Sequence, residues 1–488
     1  MIREKIIEMI RLILRWLLHN VLYNVFVRIQ TKIKSRSNIL KSLILHFALR
    51  QVIRVVNTLL HRNYEKPTKY YGNYLLATGI FSKSNQNLFD FDRTWNETYS
   101  MFNRGEYQKS ISLRNEILSE IYLINGVTDE NYFPPNFSKD FSGAIGHHGH
   151  LGVHLAAQDL GLIPSGRRYL HIKKEDSTKP FFLSIKDRIG LLSNSFFHNS
   201  GEPPSQWHIF ERMQMVKTHN GFMDLHQLVE KVYLLNRQEN TGPILELDPI
   251  YLNNCRAKLK KFGLNDDDWF VTLHVRDAGN PKEHNSQSIW SYLKAIQYII
   301  DIGGKIIRIG DAKMPRLPDI PGLIDLSDKN ESNQYFHLYA LSKAKFFIGT
   351  LSGPKVIPPL FNMPMLVTNM TCLGLETINY SEKTLYVPKK IKQNKALLSF
   401  EQILNSPTGF GSLTVQDIKD KNIIFESNSE DEILKAVIEI IDLVFNDFGV
   451  RDDSIDKRVG AIRKSQAYAS TGLLSTSWLE ENSSWFLA

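Results

Sequence analysis

Three apolar runs in the second half of the chain have the length of buried strands. They lie within residues 271–277, 305–311 and 345–348, and each is followed by a loop and a helix-like segment. This alternation is typical of a parallel sheet in an α/β fold. Because ligands of such sheets bind beyond the carboxyl ends of the strands, we expect the residues that follow the three runs to meet at one site.

A small-residue turn follows the third run. Residues 349–354 have the sequence Gly-Thr-Leu-Ser-Gly-Pro, in which the glycines let the backbone bend tightly and Pro354 suits the first position of a helix. Free N–H groups and the positive end of a helix would then face one point, which predicts an anion site of the kind that holds a diphosphate. The alternative is a turn that only begins a helix.

Charged side chains end the other two runs. A His-Val-Arg-Asp sequence ends the first run and an Arg-Ile-Gly-Asp sequence ends the second. Arg276 and Arg308 would both reach the same sheet edge, where guanidinium groups bind phosphate oxygens bidentately. The alternative is that either arginine forms a structural ion pair, with Asp277 or Asp311 as the partner.

Four histidines lie within eight positions of a glycine-rich segment. Residues 142–157 predict a loop that enters a helix ending near Gly161, and the histidines are His147, His148, His150 and His154. A metal site would need further ligands, and no carboxylate or cysteine accompanies them. We therefore favour a loop in which one imidazole acts as a general base, with hydrogen-bonded histidines at a helix start as the alternative.

The charge of the chain is concentrated in its first 62 residues. These hold 12 Lys or Arg against two Glu, so the arm carries +10 and the remaining chain −2 of a net +8. This distribution argues against nucleic acid as the substrate, because an enzyme acting on nucleic acid needs its basic surface on the catalytic body. The arm is also apolar, but no run reaches the roughly 18 residues of a spanning helix.

Basic flanks, Trp16 and many leucines predict that the arm is an interfacial helix on an anionic membrane surface. The alternative is a helix packed in the core with solvated arginines. Cys255 and Cys372 are the only cysteines, which favours a reducing compartment. The sequence thus predicts a cytoplasmic protein at the inner face of the membrane.

Residues 274–387 resemble a family of bacterial glycosyltransferases that is uncharacterised in detail. The family carries a His-Val-Arg-Asp strand, an Ile-Arg-Met-Gly-Asp-like strand and a Phe-Phe-Ile-Gly-Thr-x-Ser-Gly loop. Here these stand at 274–277, at 307–311 with Ile309 in place of Met, and at 346–353. Ile145-Gly146-His147 is similar to a signature in the family's N-terminal half. The His-x-Arg pair is also similar to fucosyltransferases, in which the arginine contacts the donor diphosphate.

The resemblance implies an α/β fold of the GT-B type, with two facing Rossmann-like domains and an N-terminal helical extension. The expected segments are a basic amphipathic helical arm (1–62), a helical layer with one tetratricopeptide-like hairpin (63–135), an N-terminal Rossmann-like acceptor domain (136–250), a C-terminal Rossmann-like nucleotide-sugar domain (251–450) and a tail (451–488). Within the acceptor domain, residues 168–172 and 181–185 are predicted strands, and the tail is expected to cross back towards this domain.

The resemblance further implies transfer of a sugar from a nucleotide sugar to a hydroxyl of a cell-surface glycan, glycolipid or related acceptor. The predicted catalytic residues are His147 and His150. The predicted donor-binding residues are His274, Arg276, Asp277, Arg308, Gly310, Asp311, Gly349, Thr350, Ser352, Gly353 and Pro354. The alternatives are a non-catalytic scaffold that binds a partner on the same fold and a nucleotide-sugar epimerase.

No metal and no other cofactor is expected. The Asp-x-Asp spacing by which many glycosyltransferases hold a metal occurs at 90–92 and 266–268. The first lies at the start of the helical layer and the second before a strand, at the edge opposite the expected ligand. We interpret both as solvated turn or helix-start acids.

Overall fold

The computed structural model describes most of the chain from Tyr107 onwards. The described residues are 97–98, 100–101, 104, 106–124, 145–165, 168–172, 177–192, 215–277, 284–327, 331–410, 413, 415–446, 453–463 and 472–488. The predicted arm (1–62), the first Asp-x-Asp and most of the first half of the tetratricopeptide-like hairpin lie outside them.

The described elements alternate between helices and short strands. The helices are α1 (Tyr107–Ile124), α2 (Ile145–Asp159), α3 (Pro180–Ile185), α4 (Leu225–Gln238), α5 (Pro249–Leu259), α6 (Leu293–Asp301), α7 (Glu331–Lys343), α8 (Phe400–Leu404), α9 (Val415–Asp420), α10 (Glu430–Phe445), α11 (Asp453–Arg463) and α12 (Thr476–Phe486). The strands are β1 (Arg168–His171), β2 (Ile189–Leu192), β3 (Met215–Thr218), β4 (Gly221–Asp224), β5 (Phe270–His274), β6 (Lys305–Arg308), β7 (Leu323–Asp325), β8 (Phe347–Gly349), β9 (Met365–Met370), β10 (Thr384–Pro388), β11 (Lys390–Gln393), β12 (Ala396–Leu397), β13 (Ile423–Glu426) and β14 (Leu473–Leu474).

A seven-stranded sheet organises the C-terminal lobe. Its order is β14-β10-β9-β8-β5-β6-β7, and every neighbouring pair is parallel. β5, β8 and β9 are buried along their whole length, because helices cover both faces of a parallel sheet. The predicted α/β class is confirmed by this sheet, and β5, β6 and β8 confirm the three strands predicted from apolar runs.

The strand order reverses between β5 and β8. From β5 the chain moves outward to β6 and β7, then returns to the other side of β5 and continues outward through β9 and β10. In open α/β sheets such a switch point leaves a crevice at the carboxyl ends of the two strands, and ligands bind there. His274 and Gly349, the last residues of β5 and β8, are register partners, so both strand ends open into this crevice.

The described strands of the N-terminal lobe form two small sheets. Within its described residues the strands form a two-stranded parallel pair, β1-β2, and an antiparallel hairpin, β3-β4. The strand predicted at 181–185 is wrong, because these residues form α3, with Pro180 in its first turn. The Rossmann-like character of 136–250 stays a prediction, because residues 136–144, 173–176 and 193–214 lie outside the described residues.

The tail belongs to the C-terminal lobe. β14 extends the large sheet by pairing with β10, and α12 packs against α10. Ser475 caps α12 and donates a hydrogen bond of 2.7 Å from Oγ to Glu439 Oε2 on α10. The expectation that residues 455–488 cross back to the first domain is therefore wrong for the described residues 472–488.

Among the described helices, none combines the length and the apolar composition needed to cross a membrane.

Candidate functional site

A pocket of about 370 Å³ lies where the N-terminal lobe meets the switch point of the large sheet. The N-terminal lobe contributes α2 and α4, and the sheet contributes the segments that follow β5, β8 and β9. The lining includes Gly146, His147, Gly149, His150, His226, Tyr233, Arg276, Ser352, Gly353, Lys355, Glu376 and Tyr380. Of the residues predicted from sequence, five therefore line one pocket: His147, His150, Arg276, Ser352 and Gly353.

Hydrogen bonds join the ends of β5 and β8. Thr350 N donates to His274 O at 3.2 Å, and Thr350 Oγ1 accepts from Arg276 N at 3.0 Å. Ser352 Oγ lies 2.9 Å from His274 Nδ1. His274 and Thr350 are buried, so their role is to hold the backbone from which Arg276 and Ser352 line the pocket.

Close packing explains the glycine at position 349. A Cβ atom there would lie 2.4 Å from the Phe347 ring and 2.9 Å from His274 O, so no larger residue fits between the two strand ends. The helix expected after Pro354 is, however, only a 3-10 helix at Gly353–Val356, followed by a second at Pro358–Phe361. A single 3-10 turn has little dipole, so the positive end of a helix gives little support to an anion site at this loop.

Three glycines of α2 bring the lobes together. Gly146, Gly149 and Gly152 are spaced so that they share one helix face. A Cβ atom on Gly149 would lie 2.6 Å from Val356 Cβ, and one on Gly152 would lie 2.5 Å from Leu360 Cδ2. This packing places the start of α2 beside the Ser352 turn.

The two predicted catalytic histidines lie on a helix and not on a loop, because α2 begins at Ile145. The ring centroids of His147 and His150 are 6.2 Å apart, and both side chains line the pocket. Burial lowers the pKa of His150 to about 4, so its imidazole is neutral at pH 7. His148 stacks on Phe181 of α3, with a centroid separation of 4.3 Å.

The structure does not bring Arg308 into this pocket. Its side chain is buried, and Nη1 donates to Asp325 Oδ2 at 2.7 Å while Nη2 donates to Pro315 O at 2.7 Å. Asp325 is the register partner of Arg308 on β7. The alternative of a structural ion pair is thus confirmed for Arg308, with Asp325 and not Asp277 or Asp311 as the partner.

Asp277, Gly310, Asp311 and Pro354 also lie outside the residues that line the pocket. Asp277 Oδ2 accepts from Ile289 N at 3.0 Å, and exposed Asp311 accepts from Lys313 N at 2.8 Å. A Cβ atom on Gly310 would meet Met314 Sδ at 2.5 Å. The carboxylates of Asp277 and Asp311 thus accept from backbone N–H groups in the segments that follow β5 and β6.

The second Asp-x-Asp is a surface feature, as interpreted from its position. Asp266 pairs with Lys260 and Arg256, and Asp268 Oδ2 accepts from Asn265 N at 2.7 Å. Both acids precede β5 and lie at the edge opposite the pocket. Across the described residues, no group of three or more His, Cys, Asp or Glu side chains could hold a metal ion.

Sequence reasoning missed a cluster of ionisable groups in the pocket wall. Buried Lys355 donates from Nζ to Glu376 Oε2 at 2.6 Å. His226, near the start of α4, has its Nδ1 3.3 Å from Oδ1 of fully buried Asp224. These four residues come from segments separated by up to 152 positions, so no local pattern in the sequence marks them.

The cluster changes the pKa of two of its members. Burial raises the pKa of Glu376, but the charges of Lys355 and His226 and the bond from Lys355 outweigh it and bring the value to about 2. Burial lowers the pKa of His226, but the hydrogen bond and charge of Asp224, with the charge of Glu376, raise it above its ordinary value. The wall therefore holds a permanent carboxylate and an imidazole that binds a proton more tightly than usual.

No family model and no curated protein matches this chain. Among solved structures, it is similar to a family 9 glycosyl transferase from Veillonella parvula (12% identity, TM-score 0.27), over 61% of this chain and 79% of that one. It is also similar to ADP-heptose lipopolysaccharide heptosyltransferase II from E. coli (12% identity, TM-score 0.27), over 60% of this chain and 82% of that one.

A third similarity is to the dodecameric iron-containing heptosyltransferase TibC from enterotoxigenic E. coli (14% identity, TM-score 0.30), solved in complex with ADP-D-β-D-heptose, over 51% of this chain and 61% of that one. Identities and TM-scores this low carry no argument about the present chain. The fold of this chain is inferred from the order of its own strands, and its candidate site from its own pocket.

Proposed function

We propose that this chain is a glycosyltransferase of the GT-B type that moves a sugar from a nucleotide sugar to a hydroxyl of a cell-surface glycan, glycolipid or related acceptor. The observation that carries the proposal is the pocket at the switch point. It collects Arg276 and the Ser352 turn from one lobe and imidazoles from the other lobe. Its volume of about 370 Å³ falls within the range of small-molecule sites.

The C-terminal lobe would bind the donor. Arg276 suits a diphosphate because a guanidinium group binds phosphate oxygens bidentately, and the small residues Ser352 and Gly353 let a ligand approach the backbone. The same positive charge would stabilise the nucleoside diphosphate as it leaves. A fixed cation would thereby take the place of a metal, and we propose that no metal is required.

The N-terminal lobe would bind the acceptor. A hydroxyl is a weak nucleophile, and a general base beside it accelerates transfer by about 10² to 10⁴-fold. His147 and His150 are the candidates from the sequence, and both line the pocket. The arm of residues 1–62, with its charge of +10, would hold the enzyme at an anionic membrane surface on the cytoplasmic side.

The proposal is tested by nucleoside diphosphate binding and release. UDP, GDP and ADP are titrated against the full chain in a thermal-shift assay, because a ligand that binds only the folded state stabilises it in proportion to its affinity. The corresponding nucleotide sugars are then incubated with extracted glycans and glycolipids, and diphosphate release and product formation are followed with and without EDTA.

Arg276→Ala should weaken diphosphate binding by about ten- to a hundredfold, because a charge-assisted hydrogen bond contributes about 1.5–3 kcal/mol to the binding free energy. Arg256→Ala is the matched control, since Arg256 pairs with Asp266 at the opposite edge of the sheet. Failure of all three nucleotides to stabilise the chain, together with no release from any sugar, would leave the scaffold alternative. Diphosphate release without any acceptor-derived product would indicate hydrolysis of the donor, and conversion of the nucleotide sugar into another product without acceptor would favour the epimerase.

A further inference from the structure

The imidazole of His226 lines the pocket and contacts a buried carboxylate, that of Asp224. Asp224 ends β4 and is the N-cap of α4, and its Oδ1 accepts from His226 N at 2.9 Å. The same oxygen lies 3.3 Å from His226 Nδ1. One carboxylate thus fixes both the backbone and the ring of His226, on the side of the pocket formed by the N-terminal lobe.

The other ionisable groups that face His226 come from three different elements. His150 lies on α2, Lys355 on the 3-10 turn at Gly353–Val356, and Glu376 on the segment after β9. Together with Asp224 they present two carboxylates, one ammonium group and one neutral imidazole. The two carboxylates favour the protonated form of His226, and the cations Lys355 and Arg276 of the same pocket oppose it.

Glu376 and His150 are less suited than His226 to accept a proton at neutral pH. Burial raises the pKa of Glu376, but the charges of Lys355 and His226 and the hydrogen bond from Lys355 together outweigh it and leave the value at about 2, while burial gives His150 a pKa of about 4. A base whose pKa lies far below the working pH gains little by taking a proton. The pKa of His226 is shifted in the opposite direction, above its ordinary value.

We propose, on the basis of the function proposed above, that His226 is the general base of the transfer reaction and that Asp224 is its positioning residue. With Nδ1 turned towards Asp224, Nε2 is the nitrogen that takes a proton from a ligand in the pocket. Asp224 fixes this tautomer and stabilises the imidazolium that forms, as a buried carboxylate behind a catalytic imidazole does in other enzymes.

The step conserves atoms and charge. His226 Nε2 takes the proton of the acceptor hydroxyl while an electron pair of that oxygen forms the new bond to the anomeric carbon. The bond from this carbon to the diphosphate oxygen breaks, and its electron pair leaves with the nucleoside diphosphate, whose charge Arg276 stabilises. The imidazolium then releases its proton to solvent.

The test compares His226→Gln, Asp224→Asn and His150→Gln with His219→Gln, a control at an exposed histidine in the β3–β4 turn. Asn caps a helix about as well as Asp, so Asp224→Asn removes the charge and keeps the cap. For each full-length variant, the affinity for UDP, GDP and ADP is measured first. The pH dependence of kcat is then measured with whichever UDP-, GDP- or ADP-sugar the wild-type chain turns over fastest.

We expect His226→Gln to lower kcat by about 10² to 10⁴-fold, to remove the acid limb of the pH profile and to leave nucleotide affinity within about twofold. Asp224→Asn should move the acid limb to lower pH, because an amide stabilises the imidazolium less than a carboxylate. A purely structural role for Asp224 would not move this limb. His219→Gln should match the wild type.

A kcat of His226→Gln within tenfold of the wild type, or an acid limb that stays in place in Asp224→Asn, overturns the inference. A large loss in His150→Gln with none in His226→Gln does the same and leaves the glycosyltransferase proposal standing. If the wild-type chain releases no diphosphate from any nucleotide sugar, both proposals fall together. If His226→Gln does not fold, the position of the acid limb in Asp224→Asn still tests whether His226 is the general base.

Discussion

Gly353 approaches Gly146 so closely that a Cβ atom built on Gly353 would lie 3.0 Å from the backbone nitrogen of Gly146. One glycine belongs to the turn after β8 and the other to the first turn of α2. The contact therefore joins the two lobes at the place where Arg276 and His147 line the same pocket. The glycines of α2 are needed for packing between the lobes more than for backbone freedom.

We predict that Gly149→Ala destabilises the chain and weakens nucleotide binding. Its Cβ would lie 2.6 Å from Val356 Cβ and 2.8 Å from Val356 O, so α2 must move away from the 353–356 turn. Overpacking of this kind costs about 1–3 kcal/mol. Thermal unfolding and nucleoside diphosphate titration measure the two effects.

Gly460→Ala is the control for that experiment. Gly460 lies within α11, and a Cβ atom added there would meet no neighbouring atom within 4 Å, so the new methyl group enters open space. Alanine favours a helix interior over glycine by about 1 kcal/mol, so this variant should be as stable as the wild type or more stable. Equal stability of Gly149→Ala and the wild type would contradict the packing argument.

The two arginines predicted to bind the donor should behave differently. Arg308→Ala leaves Asp325 without its partner at 2.7 Å in the sheet; because Asp325 is 24% exposed, we expect the cost to lie near the lower end of the about 3–5 kcal/mol that breaking a buried ion pair costs. We expect it to lower the midpoint of urea unfolding strongly. Arg276→Ala should unfold close to the wild-type midpoint and lose nucleotide affinity.

The reverse result, with Arg308→Ala stable and deficient in binding, would place Arg308 in the donor site after all. A double variant, Arg308→Met with Asp325→Leu, separates charge from packing. It removes both partners, and we expect it to recover part of the stability that Arg308→Ala loses.

Local patterns were sufficient to predict the strands around the site. The runs that became β5, β6 and β8 are apolar, short and bounded by turn residues, and they are buried in the sheet. The run at 181–185 has the same apolar character, yet it forms α3, because Pro180 fits a first helical turn and no described strand pairs with it. A short apolar run alone does not distinguish the two outcomes.

Side-chain direction and long-range packing could not be predicted in the same way. Arg308 pairs with Asp325 because β7 lies beside β6, and that neighbour relation is a property of the sheet order. His226 meets Glu376 only when α4 packs against the segment after β9. The motifs located the pocket, and the packing of the two lobes determined which residues line it.

Lys355 and Glu376 should make stability depend on pH in the acid range. The folded-state pKa of Glu376, about 2, is below its ordinary value of 4.5, so the pair stabilises the fold fully above about pH 4.5. This contribution is lost as the pH falls from about 4.5 towards 2. Lys355→Met should remove that dependence and cost about 3 kcal/mol at pH 7, because it leaves a carboxylate unpaired.

Urea unfolding of the wild type, Lys355→Met and Glu376→Gln at several pH values between 3 and 7 measures this effect. The exposed pair Lys294–Asp431 provides the control, and Lys294→Met should change the stability little at any pH. An unchanged pH dependence in Lys355→Met would show that another group controls the acid limb of stability.

Deletion of residues 1–62 should release the chain from anionic vesicles and leave diphosphate release from a soluble donor largely intact. The deleted arm carries +10 and the rest of the chain −2, and each basic residue near an anionic surface contributes about 1 kcal/mol. Flotation with phosphatidylserine vesicles at low and high salt compares the full and truncated chains. High salt screens the charges, so it should weaken binding of the full chain, while insertion of Trp16 and its apolar neighbours would preserve part of it.

Vesicles of phosphatidylcholine alone are the control for charge. A truncated chain that still floats excludes the arm as the anchor, and one that is insoluble shows that the arm packs in the core.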